Sequence, residues 1–331
     1  MVDGWLKHLH DVARPALLVA PRTFLADIRA ACAANEVRDA VARRDSKPIF
    51  NRLIQTFQYQ GISDAAADGF SRKHGSVSWD RIGEGLQQTE GCPLLRNHWS
   101  FSGCGYRKSA QTCSHPANMP ACLIPRLPLR KGILNQSAVS MFLFIRDAAE
   151  GDLVGWIDNQ LEAADHEIGV IERAAAMRTA VIEPLKNVIG ISDKILGMAL
   201  ADLLLGGDPN RERWVTAGAS MIAVDSLVHN FMHRTGVLRR AGSEHPYGPR
   251  CYAKNGCADI IAAFAQTIDA REFNADFPAY FPRFLQLALW KFCSQGFLDV
   301  CNANRIENGR RCHIVHCPNF SVCDRIPLRT R

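Results

Sequence analysis

The chain has 331 residues, of which 47% are apolar and 22% are charged, so it can bury one large core or two of ordinary size. This composition excludes an intrinsically disordered chain. No stretch approaches the roughly 20 apolar residues that span a bilayer, which excludes an integral membrane protein, and the formal net charge of +6 assigns no partner by itself.

The N-terminal residues do not suit a signal peptide, because their apolar run is broken at Pro15 and Pro21. We therefore expect a cytoplasmic protein. Twelve cysteines are many for a reducing compartment, where thiols do not persist as disulfides. Metal ligation is the better explanation for most of them.

Apolar residues recur with a helical period along most of the chain, whereas strand-like alternation is scarce. Between Gly83 and Pro128 the sequence is instead rich in cysteine, glycine and proline. This composition indicates a loop-rich insertion that needs a cross-link to hold it together. The sequence therefore predicts a mainly α fold. The predicted helices, in chain order, are Thr23–Arg44, Pro48–Tyr59, Ser137–Asp147, Asp152–Leu161, His166–Ile189, Lys194–Leu205, Asp225–Gly236 and Asp259–Ile268.

The segment Val188–Lys194 predicts a helical hairpin. One predicted helix ends here, Gly190 permits a tight turn, and a new helix begins at once. Such a turn exposes backbone amides at a helix N-terminus, which can bind a phosphate without reading sequence. Gly190 and Ser192 are therefore candidate DNA-binding residues.

A second motif lies further along the chain, where Val224–Asp225 opens a predicted helix that continues to His233–Gly236. Together the two motifs resemble the endonuclease III family of helix-hairpin-helix DNA glycosylases. In that family the hairpin has the pattern Leu-Pro-Gly-Val-Gly-x-Lys, and the downstream helix opens with Val-Asp-Thr-His. The resemblance places the nucleophilic lysine on Lys194 and the essential aspartate on Asp225, which we also expect to cap its helix.

The chain departs from the family pattern at four positions. Ile189 replaces the hairpin proline, and Ser192 replaces the second glycine. Leu227 replaces the histidine that follows Asp-Thr, and Asn230 stands where an arginine is common. These changes leave both reactive groups in place, but they alter the hairpin that would grip a phosphate.

An upstream match extends the resemblance over about two thirds of the chain. It runs from Asn51–Ile54 through Gln60 to Ser78–Ile82. The matching glutamine of the family enters the duplex beside the extruded base, so the resemblance implies a DNA contact for Gln60. It implies another for Arg234, in the motif that follows Asp225.

The resemblance implies a base-excision repair enzyme with glycosylase and abasic-site lyase activities. The Lys194 amine would attack the sugar C1′ carbon, and the Asp225 carboxylate would support the positive charge that develops as the base leaves. The Schiff base that results can undergo β-elimination. The expected partner is double-stranded DNA with a damaged or modified base, bound by a monomer associated with the nucleoid.

The implied architecture has two mostly helical lobes. Residues 1–50 and 240–331 would form a lobe with a metal-cluster loop. Residues 51–239 would form a helical barrel that carries the hairpin. The Cys-rich insertion, residues 84–135, would belong to this barrel.

Four cysteines near the C-terminus are separated by ten, four and five residues, with Arg305, Arg310 and Arg311 among them. Four thiolates so close in sequence can hold an iron–sulfur cluster or a zinc ion. The endonuclease III family has a [4Fe–4S] cluster here, although only the last interval agrees with its usual spacing, and Cys293 could replace the first ligand. The predicted ligands are Cys301, Cys312, Cys317 and Cys323.

The insertion holds a second group of four cysteines, with no counterpart that we recognise in the family. Their wide, even spacing and flanking prolines indicate a metal-stapled loop, with zinc and a second cluster both open. Scattered buried cysteines are the alternative. The group consists of Cys92, Cys104, Cys113 and Cys122; Cys251 and Cys257 are unassigned.

Two other classes of function fit parts of the sequence. One is a non-catalytic helix-hairpin-helix DNA-binding protein stapled by metal clusters, although binding alone requires neither Lys194 nor Asp225. The other is a redox protein built around clusters, which does not account for the hairpin.

Overall fold

The computed structural model describes residues 4–88, 92–166, 169–301 and 306–328, so Arg305 lies outside the described residues. Over this part of the chain the fold is mainly helical, which confirms the predicted fold class, and it contains no β-strand beyond one isolated bridge between Arg107 and Thr112. The α-helices are α1 (Gly4–Leu18), α2 (Phe24–Ala34), α3 (Val37–Arg43), α4 (Ser46–Phe57), α5 (Asp64–His74), α6 (Trp79–Gln87), α7 (Gly132–Asp147), α8 (Leu153–Ala163), α9 (Val170–Leu185), α10 (Asp193–Gly206), α11 (Glu212–Ala219), α12 (Ser226–Arg234), α13 (Val237–Arg240), α14 (Cys257–Ala265) and α15 (Pro282–Cys293). Short 3₁₀ helices span Pro93–Leu95, His98–Gly103, Pro116–Asn118, Ile124–Arg126, Pro249–Tyr252 and Ala270–Glu272.

The predicted helix Thr23–Arg44 is two helices, α2 and α3. The Asn35 side chain donates to the Ala31 carbonyl at 2.7 Å, and Glu36 adopts the left-handed conformation with φ 59°. An alanine-rich stripe does not reveal such a break, because alanine favours helix on both sides of it. The break depends on the Asn35 side chain, which bonds a carbonyl of the preceding helical turn. The helix α1, which contains Pro15, was not predicted.

Side-chain caps explain where many of the helices begin. Asp45, Ser63, Ser78 and Asp152 each stand immediately before a helix and accept a hydrogen bond from a backbone N–H of its first turn. Serine and aspartate are strong N-cap residues, because their oxygens satisfy amides that have no partner inside the helix.

The chain forms two compact units. The first, called the terminal unit here, comprises residues 1–27 and 219–331, and the second, called the central unit, comprises residues 28–218. The predicted lobes divide the chain at 50/51 and 239/240 instead. Packing accounts for the difference, because α3 packs with α4 in the central unit and α12 packs with α15 in the terminal unit.

The core of the terminal unit is centred on α15, which packs against α1, α12 and α14. Its Phe284, Leu285 and Phe292 are at most 1% exposed. Transfer of such side chains out of water is worth about 1.5 to 3 kcal/mol each. The core therefore fixes α12, which carries the residues after Asp225.

The core of the central unit is centred on α4, which packs against α3, α6, α7 and α10. The helix α7 is buried along nearly its whole length, and it supports the insertion. Its fully buried Asn135 accepts from the Leu129 amide and donates to the carbonyls of Ile124 and Leu127 at 3.0 to 3.1 Å. One side chain thus closes the end of the loop-rich segment.

None of the described helices combines the length and the apolar character that a bilayer crossing requires.

Candidate functional site

The hairpin in the central unit connects α9, which ends at Leu185, to α10, which begins at Asp193. Gly190 lies at the turn with φ 76°, a left-handed conformation that favours glycine. A Cβ atom at this position would lie 2.3 Å from Cγ1 of Ile133 on α7. Both conformation and space therefore require glycine here.

We expect Gly190→Ala to destabilise the central unit by about 1 to 3 kcal/mol, because the new methyl group is strained by the backbone and collides with Ile133. Gly151→Ala is the matched control. Gly151 also has a positive φ, of 83°, but nothing lies within 4 Å of a Cβ atom there. Urea unfolding of both variants separates the collision from the backbone strain, and equal losses would contradict the steric argument.

Polar side chains hold the hairpin from two sides. Ser137 of α7 donates from Oγ to the Ile189 carbonyl at 2.5 Å. Gln60 donates from Nε2 to the Gly190 carbonyl at 2.9 Å and accepts at Oε1 from the Ser192 amide at 3.0 Å. The Gln60 side chain therefore supports the turn in this conformation, and the Ser192 amide, predicted to meet a phosphate, already has a partner.

Lys194 lies in the first turn of α10. The helix is capped by Ser192, whose Oγ accepts from the Ile195 amide. Lys194 is half-buried, and its ammonium makes no hydrogen bond or ion pair with any residue that the structure describes. Nearby Lys186 differs, because its Nζ lies 2.7 Å from Glu183 and 3.9 Å from Asp193. Lys194 therefore has the uncommitted amine that a nucleophile requires.

A basic cavity of about 580 Å³ is lined by residues of the insertion and of the start of α7. Two of its lining residues lead to the hairpin, because Ile133 lies against Gly190 and Arg130 donates from Nη2 to the carbonyl of Gln60 at 2.7 Å. Four cations in one concave surface favour an anionic ligand. The polar lining comprises Tyr106, Arg107, Lys108, Arg130, Lys131 and Gln136.

Asp225 caps α12 in the terminal unit, as predicted. Its Oδ1 accepts from the Val228 amide at 2.9 Å. The preceding residue is held by Tyr252, whose hydroxyl accepts from the Val224 amide at 2.8 Å and donates to the Val224 carbonyl at 3.1 Å. The carboxylate is half-buried and fixed at the start of its helix.

Arg234 does not fit the predicted contact with DNA, because it is fully buried in the terminal unit. Its Nη1 donates to the carbonyls of Arg310 and Ile326, while Nε and Nη2 have no hydrogen-bond partner in the described part of the chain. Burial lowers the pKa of the guanidinium, and the neighbouring thiols Cys301, Cys312 and Cys323 act in the opposite direction. A buried cation with unused donors beside thiols needs an anion there.

The four predicted C-terminal ligands lie near one another. Cys301, Cys312 and Cys323 also lie near this guanidinium, and Cys317 lies near two of them. Backbone amides two residues further on donate to Sγ of Cys317 and Cys323. Cys293 shares a hydrogen bond with Cys301, and the pKa of Cys293 is raised by its burial and also by Cys301 and Cys317. Both Cys301 and Cys293 therefore lie near the other thiols, and either one is placed to be the first ligand.

The four insertion cysteines also converge, since Cys92, Cys104 and Cys113 all act on the pKa of Cys122, which burial raises to about 11. The Ile124 amide donates to Cys122, and Gln136 donates from Nε2 to Sγ of Cys104 at 3.1 Å. The four cysteines therefore lie in one region of the insertion.

A third group was missed by the sequence reasoning. The ligand atoms of His229, His245, Cys251 and Cys257 all lie within 4.8 Å of one another, so this group could hold a metal ion. In the part of the chain that the structure describes, no other set of three or more histidine, cysteine or acidic residues is so compact. The spacing of five residues from His245 to Cys251, and again to Cys257, was the available signal.

No family model, curated protein or solved structure matches this chain. The residues of each unit therefore carry the functional argument alone. The central unit has an uncommitted lysine amine at a glycine hairpin, a basic cavity and one group of four cysteines. The terminal unit has a fixed carboxylate and two thiol-containing groups.

Proposed function

We propose that this protein is a bifunctional DNA glycosylase that excises a damaged or modified base from duplex DNA and cleaves the resulting abasic site. The observation that carries the proposal is the half-buried Lys194 amine, which has no partner among the described residues and lies one residue inside a helix that follows a glycine turn. An amine in this setting is available to attack an electrophilic carbon.

Two groups of this chain take part in the reaction. The Lys194 amine attacks C1′ of the extruded nucleotide, the bond to the base breaks with its electron pair, and the departing base takes a proton from the attacking nitrogen. The Asp225 carboxylate stabilises the positive charge that develops on the sugar. The C1′–O4′ bond then breaks as O4′ takes the remaining proton of that nitrogen, which leaves a C=N Schiff base to Lys194. Loss of a proton from C2′ then expels the 3′ phosphate by β-elimination.

The basic cavity supports a nucleic-acid substrate. Its cations come from both walls, with Arg107 and Lys108 in the insertion and Arg130 and Lys131 before α7. Phosphate contacts of this kind position a duplex without reading its sequence. Arg130 lines the cavity and donates to the carbonyl of Gln60, whose side chain holds the hairpin, so a phosphate bound by Arg130 would lie on the side of the turn that precedes Lys194.

The C-terminal thiols support a [4Fe–4S] cluster held by Cys301, Cys312, Cys317 and Cys323. Four sulfurs on one zinc ion would lie ~3.8 Å apart, and these four do not form one of the compact groups found among the described residues. A cluster offers one iron to each thiolate and does not require the sulfurs to lie so close. Nε and Nη2 of Arg234, which have no partner among the described residues, suit the negative charge of such a cluster, whose role here is structural.

The cluster leads to a testable expectation for Cys317→Ser. We expect the iron content and the broad brown absorption of the protein to be lost, and the terminal unit to be destabilised by about 3 to 5 kcal/mol, because Arg234 would become an uncompensated buried charge. Cys32→Ser is the matched control, since Cys32 is a buried thiol in the central unit that donates only to the Asp202 carbonyl. A colourless wild-type protein that contains zinc instead would refute the cluster.

The proposal is tested by borohydride trapping on duplexes that carry single lesions. The panel contains an oxidised pyrimidine, 8-oxoguanine, a mismatched thymine, uracil and an abasic site. Borohydride reduces a Schiff base to a stable amine, so the expected product is a covalent adduct on at least one lesion duplex and none on undamaged DNA. Tight binding of every lesion duplex without an adduct would instead identify a non-catalytic binding protein.

A further inference from the structure

We propose that His229, His245, Cys251 and Cys257 bind one zinc ion in a tetrahedral site that is separate from both cysteine groups. Such a site is not part of the proposed glycosylase function. It would fasten the loop of residues 243–257 to α12 in the terminal unit.

The distances within the group fit zinc. Sγ of Cys251 and Sγ of Cys257 each lie 3.5 Å from Nδ1 of His229, and Sγ of Cys257 lies 3.5 Å from Nε2 of His245. Zinc bonds sulfur at ~2.3 Å and imidazole nitrogen at ~2.05 Å, which in a tetrahedron puts the two kinds of ligand atom ~3.5 Å apart. One ion can therefore bind all four atoms where they stand.

Hydrogen bonds alone do not explain this packing. Nδ1 of His229 has either one proton or one lone pair, yet two sulfurs approach it at the same distance. Two cysteines and a histidine are almost fully buried, with Cys251 and Cys257 at 0% exposure and His229 at 5%. A single cation satisfies these groups together.

The surroundings of the ligands are those of a metal site. Nδ1 of His245 lies 2.6 Å from the Ser243 carbonyl, so it must donate there, which leaves the lone pair of Nε2 directed at the site. Histidines that bind metals are commonly oriented by such a bond. The Gly248 amide donates to the sulfur of Cys251, and a Cβ atom on Gly256 would lie 2.3 Å from the Arg250 carbonyl, so the loop is tightly folded around its ligands.

The same loop holds the residues that precede α12. Tyr252, next to Cys251, binds both backbone groups of Val224, and His229 lies one turn after Asp225. An ion at this site would therefore hold Asp225 in place. This consequence rests on the proposed function, whereas the zinc site itself does not.

The metal is tested on the full chain without DNA. We expect one zinc per chain in the wild-type protein, with zinc-edge X-ray absorption showing two sulfur and two nitrogen neighbours. His245→Ala and Cys257→Ser should each lose this zinc and keep their iron, whereas Cys32→Ser should keep both metals. His245 is a half-buried loop residue, so its loss removes a ligand without opening the core. Zinc retained in both ligand variants, or a zinc spectrum with sulfur neighbours alone, would overturn the site.

The fastening role has a separate readout. Removing zinc with a chelator should increase hydrogen exchange in residues 226–234 and 243–257 and leave α10 unchanged. Adduct formation should fall about tenfold and recover when zinc sulfate is added back to wild type, but not to Cys257→Ser. Unchanged exchange would refute the fastening role. A protein that binds zinc but never forms an adduct would refute the proposed glycosylase function without contradicting the proposed zinc site.

Discussion

Lys194→Ala is expected to abolish the borohydride-trapped adduct and to slow base excision by roughly 10⁴-fold, because it removes the nucleophile. The affinity for lesion duplex should change little, since the Lys194 ammonium makes no hydrogen bond or ion pair with the described residues of the hairpin, which is capped by Ser192 instead. The measurement is single-turnover excision with denaturing gel analysis of the adduct, together with duplex binding by fluorescence anisotropy.

Lys186→Ala is the matched control for this experiment. Lys186 lies at the other end of the hairpin, and its ammonium is engaged by Glu183 and Asp193. Its replacement removes the same charge from the same region, so a general electrostatic contribution to DNA binding would appear equally in both variants. An adduct that survives in Lys194→Ala, or that is lost in both variants, would assign the nucleophile to another residue.

Part of the order of helices could be predicted, because several of the helices depend on local patterns. The stripe of α10 and the caps Ser192 and Asp225 can be recognised within a few residues of sequence. The break at Glu36 could not, since an alanine-rich segment favours helix on both sides of it. Helix boundaries depend on side chains that compete for backbone hydrogen bonds, and hydrophobic periodicity does not reveal this competition.

Candidate residues could be proposed from the sequence where they fall within one motif. They could not be recognised where tertiary packing brings distant residues together. Arg234 follows His233 in the last turn of a helix, a position typical of a solvated cation, yet the C-terminal loop buries it completely. Similarly, Gln60 meets the hairpin only through folding, since its partners Gly190 and Ser192 are far away in sequence.

The compact His/Cys group shows the same limit. Its first ligand, His229, belongs to α12, and its last, Cys257, is the first residue of α14. His245 and Cys251 lie in the segment between these helices, whose tight turns require Gly248 and Gly256. A pair of cysteines with five residues between them is common to metal sites and to buried thiols. The folded loop supplies the distinction, because it brings the two imidazoles to the sulfurs.

Asp225→Asn separates the two roles of the second proposed catalytic residue. Asparagine caps helices about as well as aspartate, so the free energy of unfolding should change by less than about 0.5 kcal/mol. The amide has no charge to stabilise the sugar cation, so excision should slow by about 10²- to 10³-fold. Single-turnover rates and thermal unfolding of the same preparation measure both effects.

Asp225→Ala completes the comparison, because alanine removes both the charge and the cap. It should match Asp225→Asn in rate but lose about 1 kcal/mol more stability, since the Val228 amide would lose its acceptor. Asp152→Ala is the control for a cap without a catalytic role, as Asp152 accepts from the Gly155 amide at the start of α8. If Asp225→Asn retained the wild-type rate, the carboxylate would be a helix cap alone, and the charge on the sugar would have to be stabilised elsewhere.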